Sequence, residues 1–224
     1  QEVSQTPFFS SFFSEPKNHG QWGSHIQTFP AHTQIYQQGE SADTLYLIER
    51  GLVKLTRLAP NGREIIAGSR RRHWLIGTTA VLLRGEYTYT AIALVRTSLR
   101  CIPANVFLNL VKMNSQLSWQ LNLSLSREVI NHRKRLEANS CMAAKDSLKS
   151  FLCELIQEQE QDEPGSPSRF HVPLKSHELA EIVAVTPEHL CRLLKEMEQD
   201  QIVRREKGML VVNDPAALLR KAET

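Results

Sequence analysis

Residues 176–203, SHELAEIVAVTPEHLCRLLKEMEQDQIV, constrain the fold more than any other stretch of this chain. Apolar residues fall at Leu179, Ile182 and Val183, with Val185 closing the run, and again at Leu190, Leu193, Leu194 and Met197. Both sets keep the i, i+3, i+4 spacing that gathers side chains on one face of a helix. The reading is two short helices joined by a tight turn. Ser176 is suited to cap the first helix. Thr186 is suited to cap the second, with Pro187 at the first helical position, where a missing N–H costs nothing. Glu188, His189 and Arg192 then lie on the exposed side near the start of the second helix. Downstream, Ile202-Val203, the run Arg204-Arg205-Glu206-Lys207-Gly208 and Met209–Val212 read as a strand, a basic turn and a strand.

The residue types at that exposed end match base-pair edges. Arginine pairs bidentately with guanine O6 and N7, and a carboxylate accepts from cytosine N4. Glu188 and Arg192 are four apart, so they share a face and could address neighbouring base pairs. The plain alternative is a surface ion pair worth a few tenths of a kcal/mol. The hairpin that follows favours base reading, because a helix pair with a small wing is a DNA-docking unit.

The stretch from Leu174 to Val212 resembles the winged helix-turn-helix of the Crp/Fnr transcription regulators, with no gap from Leu174 through Val203. The resemblance implies that Thr186 is the capping residue, that Glu188 and Arg192 read a G·C-containing step of each half-site, and that Lys195 contacts phosphate. It also implies a base-reading role for His189 and positioning roles for Lys175, Ser176 and Lys207. Departures are visible. Pro187 stands where the catabolite activator carries a base-reading arginine, and His189 and Cys191 occupy variable specificity positions. Ala184 stands at a turn where glycine is usual, and a non-glycine residue at positive φ costs on the order of 1 kcal/mol.

Charge does not by itself mark a DNA binder. Net charge is +3 over the chain, yet residues 140–224 hold 11 Lys and Arg against 15 Asp and Glu. Much of the excess sits in Glu154, Glu158, Glu160, Asp162 and Glu163, just before Pro164-Gly165-Ser166-Pro167, and reads as a solvated face. The cysteines, Cys101, Cys141, Cys153 and Cys191, form no C-x-x-C and no metal-ligand spacing, so reduced structural thiols and no metal are expected. No apolar run has the length of a membrane span and no secretory signal is evident, which points to a cytoplasmic protein without membrane contact. The chain begins at Gln1, so residues upstream of it are open.

The front half reads as β structure. Ile35–Gln38, Thr44–Ile48, the run Gly51 to Leu58, Arg63–Ala67, Thr88–Leu94 and Thr97–Ile102 are strand candidates, and Pro60-Asn61-Gly62 is a hairpin turn signal. Many short strands at this spacing imply a jelly roll or similar barrel. In the same resemblance, Gly39-Glu40 through Leu45-Tyr46-Leu47-Ile48 and Gly51 look like the opening strands of a cyclic-nucleotide-binding fold. The phosphate cassette of that fold is degenerate here. Aligned on Leu75-Ile76-Gly77, its glutamate position holds Thr78, and its arginine and serine positions hold Thr88 and Tyr89. A buried phosphate without its arginine lacks a charge partner, at a cost of several kcal/mol. Nothing in the alignment puts Arg84 or Arg70 to Arg72 in its place. Binding of cAMP is therefore disfavoured, no cofactor is expected, and any effector is of another kind. Gly77, Thr78, Thr88, Tyr89 and Thr90 are the candidate pocket residues. His132 and Arg133 join them by resemblance, because relatives meet the nucleotide base at that place. An ordinary strand with no ligand is an equal reading of the Tyr87-Thr88-Tyr89-Thr90 run.

Between the halves, residues 114–139 lack Gly and Pro and carry a stripe of Leu117, Leu121, Leu125 and Val129. Such a stripe is core or a partner-helix seam; the resemblance implies a parallel homodimer. The expected fold class is α+β, divided into a flexible N-terminal segment (1–18), a cyclic-nucleotide-binding-like β jelly roll (19–113), a dimerisation helix (114–139) and a C-terminal winged helix-turn-helix (140–224). The expected function is a transcription regulator whose homodimer reads a palindrome in double-stranded DNA, switched by a small molecule, with RNA polymerase as a further partner. A ligand-binding module whose C-terminal helices contact protein is the alternative. Catalysis has no motif: Ser176-His177-Glu178 is triad-like in print only, because adjacent helical residues do not face each other.

Overall fold

The computed structural model describes residues 8–14, 23–60, 62, 64–137, 141–162, 170–172, 174–183, 185–206, 209–215 and 218. The chain divides into two units, residues 1–135 and 136–224. The long helix therefore belongs to the first unit through most of its length.

In the first unit, helix α1 (Phe8–Ser14) precedes strands β1 (His25–Phe29), β2 (Gln34–Tyr36), β3 (Thr44–Arg50), β4 (Val53–Leu58), β5 (Glu64–Arg70) and β6 (Leu75–Ile76). Helix α2 (Thr78–Leu83), strands β7 (Thr90–Ala93) and β8 (Thr97–Pro103), and helices α3 (Ala104–Met113) and α4 (Ser115–Glu137) follow. The strands form two antiparallel four-stranded sheets, ordered β1-β8-β3-β6 and β2-β7-β4-β5, which is the expected jelly roll. β3 shows why the two sheets close on a core. Its alternate residues Leu45 and Leu47 are fully buried, as strand periodicity requires, and so is Ile48 beside the register shift between Ile48 and Arg50. Strands β1 and β6 were not legible in the sequence, since one is exposed over four of its five residues and the other has only two. The turn signal is realised where the Gly62 N–H donates to the Ala59 carbonyl at 2.9 Å. Gly51 is obligatory in this frame. Its φ is +93°, and a Cβ there would meet Thr97 Oγ1 at 2.5 Å and the Arg96 carbonyl at 2.8 Å.

Two expectations change here. The N-terminal segment is not simply a flexible lead-in, because α1 delivers Phe9 and Phe13 into the core of the roll. A hydrogen bond between Ser10 Oγ and His73 Nδ1, 2.7 Å long, fastens its outer side. Spacing missed this helix because serines separate the phenylalanines, while Phe9 and Phe13 are one helical turn apart and land on one face. The stripe on α4 also divides. Leu117 and Leu121 are buried in the core of their own unit, and Leu125 packs against it, so the first two are core residues rather than a partner seam. Val129, 68% exposed, is turned outward.

In the second unit, α5 (Cys141–Asp162), β9 (Phe170–His171), α6 (Ser176–Ile182), α7 (Pro187–Gln199), β10 (Val203–Glu206) and β11 (Met209–Val212) follow. The wing is a three-stranded antiparallel sheet ordered β10-β11-β9, with Val203 opposite Val212 and Val212 opposite Phe170. The third strand was missed because two residues carry no period. Arg204 and Arg205 lie in β10 rather than in a basic turn, and positions 207 and 208, with the Lys207 assignment, lie outside the described residues. Ala184 also lies outside them.

Candidate nucleic-acid interface and effector region

The exposed end of α7 is built by its buried one. Leu190, Leu193, Leu194 and Met197 are each 2% exposed or less. That fixes the rotation of the helix and leaves Glu188, Cys191, Arg192 and Lys195 on the solvent side, with His189 half-buried at the border. Thr186 caps the helix as expected: its Oγ1 accepts from the His189 N–H at 3.2 Å, and Pro187 takes the first position. Replacing Thr186 with alanine should cost about 1 kcal/mol, read as a lower urea midpoint for the C-terminal unit. α6 starts differently from expectation. Lys175 occupies the capping position, its N–H donating to the Glu178 carboxylate at 3.1 Å, and Ser176 is already the first helical residue. A lysine side chain has no acceptor, so the cap is supplied by the Glu178 arm alone.

Glu188 and Arg192 form no ion pair with each other among the described residues, so both groups stay available to a ligand. The Glu188 carboxyl is held below its ordinary range by the backbone N–H at the helix start and by the Thr186 hydroxyl. It therefore stays an acceptor, the state that cytosine N4 needs. Two braces that spacing did not reveal hold α7. Lys145 of α5 reaches Glu196 at 3.3 Å and Asp200 at 3.6 Å. Arg205 of β10 reaches Glu198 at 3.6 Å and Cys191 Sγ at 3.9 Å, joining the wing to the helix.

The interior of the roll departs further from the sequence reading. Gly77 has φ +83° and begins α2, and a Cβ there would strike the Tyr87 ring at 2.9 Å. Thr78 is buried on α2. Of the run 87–90, the buried member is Tyr87, while Thr88 is exposed and Tyr89 and Thr90 are half-buried. Thr90 Oγ1 is occupied by the Gln38 N–H at 3.0 Å. Arg133 is exposed, and the side chain of His132 lies outside the described residues. The five candidates from the roll thus differ in exposure, and one of them is already engaged with the backbone.

Aromatic rings stack next to Gly77. Tyr36 stacks on Tyr87 with ring centroids 3.9 Å apart and on Tyr46 at 5.5 Å. The Tyr87 hydroxyl donates to the Thr44 carbonyl at 2.5 Å. Burial pushes the Tyr36 and Tyr87 hydroxyls far above the ordinary tyrosine range, so both stay neutral. Beside them, Arg70 of β5 donates from Nη2 to Glu128 of α4 at 2.5 Å and from Nη1 to the Ser69 carbonyl at 3.0 Å. Its guanidinium lies 4.8 Å from the centre of the Trp74 ring, a cation–π distance. The arginine run 70–72 was visible in the sequence, but only tertiary structure shows that its first member turns inward.

Among the described residues, no group of three or more His, Cys, Asp or Glu side chains is arranged to hold a metal, and no helix is long and apolar enough to cross a membrane.

Comparison with known proteins agrees with both units. Residues 26–114 match the cyclic nucleotide-binding domain, and residues 148–221 match the Crp-like helix-turn-helix domain. The global nitrogen regulator of Nostoc sp. is 25% identical over 202 residues, 88% of each chain. The cyclic AMP receptor protein of Thermus thermophilus is 25% identical over 190 residues, 85% of this chain and 84% of its own. A solved CRP-family transcriptional regulator from the same organism superposes with a TM-score of 0.61 at 22% identity, covering 88% of this chain and 97% of its own. The protein-contact alternative for the C-terminal helices is not favoured, since they match a domain defined by its helix-turn-helix. With the jelly roll in front and a capped, outward-facing second helix behind, the chain belongs to the Crp/Fnr family and is a DNA-binding transcription regulator.

Proposed function

We propose that the protein works as a homodimer that reads a palindromic duplex site with Glu188 and Arg192 of each protomer. His189 borders the read base pairs, and Lys175, Ser176, Thr186, Lys195 and Lys207 position the phosphates. The observation that carries this reading is the division of α7 into one face wholly buried and one carrying Glu188, Arg192 and Lys195 to solvent. A single recognition helix spans few base pairs, and a two-fold pair reaches two half-sites one helical turn apart. Because Leu117 and Leu121 are core, we assign the partner seam of α4 to its exposed apolar residues. Trp119 and Ile130 are 62% and 48% exposed, at i and i+11 on one stripe, with Val129 beside them.

The match to a cyclic nucleotide-binding domain supports control by a small molecule. The missing phosphate cassette argues for one other than cAMP. In such a switch the effector binds one arrangement of the dimer better than the other. Family membership also supports a cytoplasmic regulator that works with RNA polymerase and has no catalytic role.

Fluorescence anisotropy with a family-type palindrome and a scrambled duplex tests the assignment. Lys195→Ala should weaken both duplexes alike and lower the salt slope by about 1 per subunit. A Lys195→Ala protein that loses only the palindrome would move that residue from phosphate to base contact.

A further inference from the structure

We propose that Arg70 and Trp74 form a receptor for a small carboxylate or phosphate anion, and that Glu128 is a built-in competitor occupying it in the unliganded protein. This deepens the reading of the roll as an effector domain and places the site on β5 and the following turn, away from the degenerate cassette.

Three observations converge. Arg70 is 8% exposed, a cation deep in the roll, and its acid partner is a single Glu128 oxygen. Trp74 is 9% exposed, and its Nε1–H is buried with no acceptor among the described residues. The two lie together, with the guanidinium 4.8 Å from the indole ring centre. The guanidinium and the orphan N–H thus form a donor group larger than one tethered carboxylate oxygen satisfies. A free carboxylate or phosphate has enough acceptor oxygens to serve both. A neutral ligand would leave a buried guanidinium unpaired once Glu128 was displaced, so the ligand is an anion.

The competitor itself is reached from solvent, its side chain being 31% exposed. Burial keeps the Tyr36 hydroxyl neutral although it lies within the field of both Arg70 and Glu128, so it adds no negative charge against an incoming anion. Glu128 rides on α4 and Arg70 on β5, so an anion that replaces the carboxylate breaks this one tie between helix and strand, while Leu117 and Leu121 keep α4 seated in the core. Occupancy is thereby coupled to the element assigned to the dimer seam.

The test uses full-length protein labelled with nitrogen-15, with the indole N–H signal of Trp74 identified by Trp74→Phe. Sodium acetate and sodium phosphate are titrated at constant ionic strength set with sodium chloride. In Glu128→Gln, one of the two anions should move the Trp74 signal along a saturating curve. A parallel sodium chloride series at the same ionic strength serves as reference and leaves the Trp74 signal in place. Half-saturation should come at about tenfold lower concentration than in wild type, as removal of a tethered competitor dictates. The additional change Arg70→Gln should abolish the response. The anion that saturates first identifies the ligand class. A Trp74 signal that responds no more than in sodium chloride alone, or that responds equally after Arg70→Gln, overturns the proposal. Should Glu128→Gln unfold, the wild-type titration decides alone: a signal unmoved by both anions rejects the receptor. DNA binding measured in parallel separates the two readings, because an anion response without DNA binding would sink the operator assignment and leave the receptor standing.

Discussion

Arg192→Ala should lose the palindrome while keeping the fold. The side chain is exposed on α7, and the anchoring face of the helix lies entirely on other residues. Alanine is the best helix former, so a helix position without packing gains rather than loses from the change. The melting temperature should therefore stay put. At the duplex, a bidentate arginine–guanine pair supplies about 1–3 kcal/mol of discrimination. A two-fold dimer makes that contact twice, so the loss at the palindrome should reach about 2–6 kcal/mol, roughly 30-fold to over 10⁴-fold in affinity. Binding to a scrambled duplex should change much less, through the loss of one positive charge per subunit. Competition anisotropy with both duplexes checks this. Equal affinity and equal selectivity in the variant would remove Arg192 from base reading.

Phe13→Ala should destabilise the N-terminal unit by about 3–5 kcal/mol, the range for emptying a fully buried phenylalanine site. Phe13 is 0% exposed and belongs to the same core cluster as Leu45, Leu47, Ile48, Trp74 and Phe107. For a unit of this size the loss translates to a fall of roughly 10–20 °C in melting temperature. Phe12→Ala, at the half-buried neighbouring position, serves as the control and should cost clearly less. Calorimetry on the full chain reads both. A loss below about 1 kcal/mol at Phe13, the size of an ordinary surface change, would mean that the helix is only loosely attached.

The parts of the molecule legible in the sequence are those where one local rule decides. The i, i+3, i+4 pattern and the Thr186-Pro187 pair place α7 to the residue, because helix periodicity and capping act within a few positions. The alternation in β3 and β4 likewise gives the centre of the roll. The misses have a common cause in tertiary context. β1, β6 and β9 are too exposed or too short to carry a period, so pairing alone makes them strands. Leu117 and Leu121 fit a partner seam and a core equally well in one dimension, and only the packed roll chooses core. The effector region was least legible. Its charged pair joins residues 58 positions apart, and the stack of Tyr36, Tyr46 and Tyr87 likewise joins three separate elements that no local pattern connects.

The braces on α7 have an evolutionary corollary. Lys145 and Arg205 hold the helix through Glu196, Asp200 and Glu198, all in its second half or just past its end, while the positions we propose to face the bases lie in its first half. Orientation and vocabulary are thus encoded by separate residues. On that proposal, exchanges at 188 or 192 alter operator preference while leaving these ion pairs and the buried face of the helix in place.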